Sequence, residues 1–352
     1  MPTPELLQRL LTAAGPPGRE EAPVEVWRQA AAGFASVSTD VMGTPVARVE
    51  GREGGPLLAV IGHIDEIALL VSHITDDGFL RLVTSGGWDP QILVGQRVLV
   101  LTRDGPIPGV VGRKPIHLLE EDERKKVVEI KRLHVDIGAR DGKEARKLVR
   151  VGDPLLIDAE PVELPNGRLT SRSLDNRLGA WVALEAARLV SEAGGAPGPL
   201  AAVASVQEEI GGHGALTSAY GLEPDVAIVV DVTHATDSPG VEPDQIGSHP
   251  LGSGPVINRG PVLSPRVTDL LCETAETEKI AYTLEPSGRG TFTDADAVHL
   301  TRRGVPTALV SFPLRYMHSP IEVVELGDVE AAARLIAAFA QRLTSEVELR
   351  RW

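Results

Sequence analysis

The chain has 352 residues, of which 42% are hydrophobic and 24% charged, the balance of a globular protein with room for about two domains, so global disorder is excluded. Its 35 basic and 49 acidic residues give a net charge of −14, which argues against a general binder of nucleic-acid backbone, and aromatic residues at 3% leave little for stacking single strands. Cys272 is the only cysteine, so an intrachain disulfide and cysteine-based zinc sites are excluded and any metal must be held by His, Asp and Glu.

From Pro4 to about Ala32, Leu6, Leu7, Leu10 and Leu11 and then Val24, Val26 and Trp27 recur at helical spacing around Gly15-Pro16-Pro17-Gly18, which predicts two helices and a loop. The pattern turns strand-like from Val37. It closes on the apolar run 56–61, as in a strand buried on both faces, followed by Gly62-His63-Ile64-Asp65-Glu66. Residues 68–165 alternate short β-rich runs with turn signals such as Asp77-Gly78 and Asp104-Gly105, and Asn166-Gly167 closes the block. A small β-barrel or sandwich is predicted there. The mixed charge run from Leu119 to Lys126 inside it reads as a solvated loop.

Beyond Thr170 a helix is predicted over 174–193, strands over 200–206, 226–230 and 307–312, and a last amphipathic helix over 329–345. Alternating strands and helices make the fold class α/β, with a mixed, mainly parallel sheet and helices on both faces. The main domain comprises 1–67 and 166–352, interrupted by the barrel-like insertion at 68–165. The first residues lack an apolar signal core behind a basic start, and no apolar run nears the ~18 residues of a membrane span. The expectation is a cytoplasmic protein with no membrane or nucleic-acid partner.

Acidic and histidine residues cluster where strands end or helices begin. His63 and Asp65 follow the apolar run, Asp175 opens a helix, Glu208 and Glu209 follow the next strand, Asp231 ends Ala227-Ile-Val-Val, and His318 lies just past the strand ending at Phe312. Open α/β sheets bind ligands outside the carboxyl ends of their strands, so one rule brings these residues to one rim. Singly each has a bland reading: Asp175 as a helix cap, the glutamate pair as solvated surface, His318 as a core histidine. Asp231 is stronger, because a charge after four apolar residues needs a partner.

Together they have the count of a two-metal hydrolase. If Asp175 bridges, one ion has His63, Asp175 and Asp231 and the other Asp175, Glu209 and His318, each with an open position for water. Three ligand carboxylates and a shared hydroxide balance two divalent cations, a species able to attack an amide carbonyl. Such donors suit Zn²⁺, Co²⁺ or Mn²⁺. Glu208 adjoins a ligand and fits the general base that passes the water proton to the leaving amine. Asp65, two residues from His63 on an extended chain, fits the group that orients the imidazole.

Five stretches, Gly62-His-Ile-Asp-Glu-Ile, Ser173-Leu-Asp-Asn-Arg-Leu-Gly, Val206-Gln-Glu-Glu-Ile-Gly, Asp231-Val-Thr-His-Ala-Thr-Asp and Arg315-Tyr-Met-His-Ser-Pro-Ile-Glu, resemble the motifs of the tetrahedral (TET) aminopeptidases, di-metal glutamyl and leucyl aminopeptidases often mislabelled endoglucanases. The motifs run in the family's order, and the resemblance spans about residues 5–345. It implies a zinc-peptidase-like fold, metal ligands at His63, Asp175, Glu209, Asp231 and His318, and Glu208 as catalytic acid/base. It also implies peptide substrates with a free N-terminus, a β-rich dimerisation insertion and a hollow homododecamer built from dimers. The family's usual Gly-Leu-Arg-Gly-Ala is Gly211-Gly-His-Gly-Ala here, and the small residue after Thr-Asp-Ala is Asp296. These departures leave His213, His234 and His299 as extra histidines of structural or supporting character, with His73, Asp294 and Asp296 as further residues that can line the site.

The alternatives are a di-metal N-acyl-amino-acid deacylase or carboxypeptidase, and an inactive scaffold on the same fold. The former carry their extra domain after the Glu-Glu motif, whereas here the β-rich block precedes Asp175. The scaffold reading predicts a missing ligand or base, and none is missing. A glycosidase would need two metal-free carboxylates and leaves the histidines unexplained.

Overall fold

The computed structural model describes residues 2–351. They form two compact units, one made of the residues up to Asp65, Pro161–Met317 and those from Ile321 on, the other of Glu66–Glu160 with His318–Pro320.

The first unit is built on an eight-stranded sheet in the order Ser36–Thr39, Pro45–Val49, Leu200–Ser205, Leu58–His63, Val226–His234, Thr307–Leu314, Val256–Arg259, Thr283–Pro286. The four strands from Leu200–Ser205 to Thr307–Leu314 run parallel, and their flanks add antiparallel pairings. The central strands are almost wholly buried along their length, as parallel strands covered on both faces must be. Alternation sorts their side chains. Leu58, Val60, Ala202 and Ile228 pack with residues of the helices Leu174–Glu192 and Leu326–Arg342. Ala59, Ile61, Val203 and Val229 pack with Ala215 and Ala219 of the helix His213–Leu222 and with Ala295 and Val298. Helices therefore cover both faces, and the mixed, mainly parallel α/β class is the one observed.

Asn166 and Gly167, both at positive φ, turn the hairpin of Val162–Leu164 and Arg168–Ser171, which extends onto Glu322–Glu325. This pairing puts residues 161–165 in the first unit.

In the second unit six strands close a barrel in the order Ala68–Ile74, Leu80–Ser85, His134–Asp136, Gly105–Gly112, Arg97–Thr102, Pro154–Ile157. Its core holds Leu69, Val71, Leu80, Val98, Val100, Val135 and Leu155. Closure removes the exposed strand edges that so short a set of strands would otherwise carry. The charge run is exposed, but it contains one helical turn, Glu121–Arg124, where the sequence reads as loop; Glu120 and Glu123 form a reciprocal capping box that supports the turn. Among the described residues no helix is long and apolar enough to cross a membrane.

Candidate metal centre

Register sets the floor of the site. His63 is paired with Ser205 across the parallel strands, and Asp231 with Ser311. Val229 is paired with Ile61, so two residues further along Asp231 stands beside His63. All lie at the carboxyl ends, where the sheet rule places ligands. His63 and Asp231 share the face of Ile61 and Val229 by alternation.

Asp175 arrives from above the strand ends. Ser173 takes a left-handed φ of 60° ahead of the helix Leu174–Glu192, and the Asp175–Asn176 peptide is cis. The Asn176 amide donates to the Val230 carbonyl at 2.7 Å and its carbonyl accepts from the Gly179 N–H at 2.8 Å, tying the helix start to the strand that carries Asp231. Glu322 accepts the Asp175 N–H at 3.1 Å.

The side chains then converge. His63 Nε2 lies 3.2 Å from Asp175 Oδ1 and 3.7 Å from Glu208 Oε2, while Nδ1 lies 3.4 Å from Asp65 Oδ1. One ring nitrogen faces the acidic cluster and the other faces Asp65. His63, Asp175 and Glu209 each offer a ligand atom within 4.8 Å of the others. The Asp65 carboxylate also accepts the N–H of Glu208 at 3.0 Å and of Glu209 at 3.2 Å. It thereby joins the histidine to the turn that carries both glutamates, a wider role than the sequence suggests.

Electrostatics describe a cation site. Burial raises the Glu208 carboxyl to about 9; His63 offsets this in part while Asp231, Asp294 and Asp175 add to it. Burial likewise raises Asp231 to about 8, with Asp175 adding to the shift against the pull of His63. Burial and the Asp175 charge push Glu209 well up. Burial alone would lower His63, but Glu208 and the contacts with Asp175 and Asp65 drive it above its ordinary value. Burial first, and then the crowding of several carboxyls around one imidazole, favour their protonated forms when no cation is bound. Divalent cations would replace those protons, and a donor set of imidazole nitrogen and carboxylate oxygen suits Zn²⁺, Co²⁺ or Mn²⁺. The residues present fit a metal.

The remaining candidates are placed as follows. His318 belongs by contact to the barrel unit, at a φ of 59°, and its Nδ1 lies 3.1 Å from where a Cβ on Gly87 would sit. Its place as a ligand rests on the sequence resemblance. His213 opens its helix exposed to solvent, with Nδ1 3.1 Å from Gln207 Oε1. His299 Nδ1 lies 2.9 Å from the Ala295 carbonyl. His73 and His234 are exposed on their strands. Asp296 holds its own loop by accepting the amides of Thr291 and Phe292. Asp294 is buried, bonded to the Ser205 hydroxyl, and burial raises it to about 6. Glu322, which ends the fifth motif but has no role in the sequence reading, is the acceptor of the Asp175 N–H, and Glu20, whose carboxylate accepts the Gln207 N–H at 3.2 Å, escapes that reading altogether. The only hint of Glu20 is its place after the Gly15–Gly18 turn.

The family model of the M42 glutamyl aminopeptidases matches residues 43–335. The chain is 34% identical over 350 residues to a lysyl aminopeptidase of Pyrococcus furiosus, covering 96% of this chain and 97% of that one. It is similar to the crystal structure of a TET aminopeptidase from a marine sediment Thaumarchaeota archaeon, with a TM-score of 0.92, 35% identity and 97% of each chain covered. It is also similar to the Pyrococcus horikoshii TET1 peptidase, which assembles into a tetrahedron or a large octahedral shell, with a TM-score of 0.84, 32% identity and 96% and 98% of the two chains covered.

Proposed function

The chain belongs to the M42 glutamyl aminopeptidase family, and on that premise we propose that this peptide hydrolase removes N-terminal residues from peptides with two divalent cations and Glu208 as acid and base. The observation that carries the reading is the convergence of His63, Asp175 and Glu209 ligand atoms within 4.8 Å, with the Glu208 carboxylate beside them. Asp175 would be shared between the two cations, with His63 and Asp231 holding one and Glu209, with His318 assigned by the sequence resemblance, holding the other.

When bound, the cations supply Lewis-acid polarisation of the scissile carbonyl and lower the pKa of water. The protein's own groups do the rest. Asp65 holds the His63 ring with Nε2 toward the ligands, the orienting role of a carboxylate behind a metal-binding imidazole. Glu208 takes a proton from the attacking water and delivers it to the departing amine nitrogen. Its buried, acid-rich surroundings favour proton uptake, which suits the base half of the cycle.

We extend to this chain the homo-oligomeric assembly named for its P. horikoshii relative, as a dodecamer built from dimers; a monomeric mass in native mass spectrometry would reject that. The activity test uses metal-stripped protein resupplied with Co²⁺ or Zn²⁺ on one short peptide, with its N-terminus free or acetylated. Metal-dependent release of the first residue from the free peptide alone supports the proposal. Cleavage of the acetylated peptide alone moves the reading to a deacylase.

A further inference from the structure

Three successive backbone N–H groups in the turn after strand Leu200–Ser205 end on buried carboxylates. Gln207 N–H goes to Glu20, Glu208 N–H and Glu209 N–H to the two oxygens of Asp65. Gln207 itself has a φ of 58°, the left-handed region where a side chain is strained. An extended Gln207 would redirect the chain and carry Glu208 away from His63. The turn is therefore held from outside, and Glu20 holds its first and most strained residue.

Glu20 is well placed to do so. It is 5% exposed, and the oxygen that accepts Gln207 also accepts the Gly18 N–H at 2.7 Å, in a loop where Gly18 has a φ of 80°. The loop is clamped from the other ligand-bearing segment. The fully buried Arg177, two residues beyond Asp175, donates to the carbonyls of Leu10 and Ala13. A Cβ on Gly15 would lie 2.6 Å from its guanidinium. The N-terminal segment thus runs from the Asp175 helix to the glutamate turn as a brace.

We infer that Glu20 is a positioning residue for Glu208, fixing the left-handed turn at Gln207 from which the acid–base carboxylate projects. This rests on the acid–base reading of Glu208 given above. Burying a carboxylate costs stability unless hydrogen bonds compensate, and here both amides it accepts lie in turns at positive φ rather than in regular structure.

The test compares full-length wild type, Glu20→Leu, Glu20→Gln, Glu208→Gln and the double variant Glu20→Leu/Gln207→Gly, all with saturating metal. Glu20→Leu removes the acceptor and should lower kcat about tenfold or more, leave KM within about twofold and leave bound metal per chain unchanged, whereas Glu20→Gln keeps one oxygen that can accept both N–H groups and should stay near wild type. Hydrogen exchange in Glu20→Leu should rise in the segment 206–210 and stay unchanged in the central strands. Glycine has no steric penalty at positive φ, so Gln207→Gly should restore a good part of kcat in the Glu20→Leu background. A Glu20→Leu enzyme with kcat within twofold of wild type and unchanged exchange at 206–210 overturns the inference. So does a loss of kcat that Gln207→Gly leaves untouched and that comes with faster exchange throughout the unit, since that is general destabilisation. Wild-type kcat in Glu208→Gln defeats the acid–base reading instead, and the exchange data still decide whether Glu20 fixes the turn.

Discussion

Gly62 and Gly179 meet backbone to backbone: a Cβ on Gly62 would lie 2.2 Å from the Gly179 carbonyl carbon. A Cβ on Gly179 would in turn lie 2.6 Å from the Val230 carbonyl oxygen. No real Cβ fits at such separations, so the helix Leu174–Glu192 rests on the sheet only because both positions lack one. That contact is next to His63 on the strand and one turn beyond Asp175 on the helix. The close approach that packs helix on sheet also brings two of the proposed ligands, His63 and Asp175, to 3.2 Å.

Gly62→Ala should therefore injure both stability and the site. Overpacking a tight core costs about 1–3 kcal/mol, and the helix start must lift away from the strand. The expected result in denaturant melts of metal-loaded protein is a loss of that size, with weaker metal binding by calorimetry. A variant that melts like wild type and binds metal equally would show that the helix can shift without moving Asp175.

Glu208→Gln keeps the shape of the side chain and removes its proton chemistry. General acid–base groups contribute about 10²–10⁴ in rate, so kcat should fall by that factor. The Glu208 amide, not its side chain, is what Asp65 holds, so the turn and the metal content should persist. Elemental analysis alongside steady-state kinetics checks both halves. Near-normal kcat would remove Glu208 from the chemistry.

Much of this arrangement is legible in the sequence because it follows local rules. Apolar runs mark the parallel strands, and the residues just past them, His63, Glu208, Glu209 and Asp231, fall on one rim by topology. The supports are less visible. Glu322 reaches the Asp175 amide across 147 positions and Glu20 reaches the Gln207 amide across 187. Each is a side chain bonded to a backbone group, which leaves no periodic pattern. The αL turn at Gln207 carries no glycine to advertise it. Asp65 reads as a partner for His63, whereas its two bonds to the glutamate turn depend on how strands Leu58–His63 and Leu200–Ser205 align.

Asp65→Asn removes the negative charge behind His63 and leaves one oxygen to accept from the glutamate turn, with the amide nitrogen facing the other N–H. Replacing a carboxylate that backs a ligand histidine typically weakens metal binding about 10–100-fold. The expected outcome is a loss of affinity in that range in a folded protein, measured by competition with a chromogenic chelator. Unchanged affinity would mean that the His63 ring is oriented without Asp65.

Away from the site, Asp328 sets a pH dependence of stability. It accepts the N–H of Gly252 at 2.8 Å and of Gly254 at 2.7 Å, yet burial raises it from 3.8 to about 6. The folded state therefore holds this proton more tightly than the unfolded chain. Its contribution is full below pH ~4 and is lost as pH rises through about 6, a change on the order of 2–3 kcal/mol at ~1.4 kcal/mol per unit. The melting temperature of wild type relative to Asp328→Asn should fall between pH 4 and pH 7. A constant difference across that range would show that the two amide bonds keep the carboxylate ionised throughout.

Metal binding should release protons, and the acidic cluster says how the effect runs with pH. In metal-free protein burial raises Glu208 to about 9 and Asp231 to about 8, so at pH 7 both are mainly protonated. A cation must displace the proton of a ligating carboxyl and repel that of a neighbouring one. Affinity should then climb as pH rises from 6 toward 9 and level off above it. Calorimetric titration of stripped protein with Zn²⁺ at pH 7, in buffers of different ionisation enthalpy, should give a buffer-dependent heat corresponding to about one or more protons released per chain. Heat independent of the buffer would mean that the carboxyls are already ionised, and that their charge is balanced within the protein before any cation arrives.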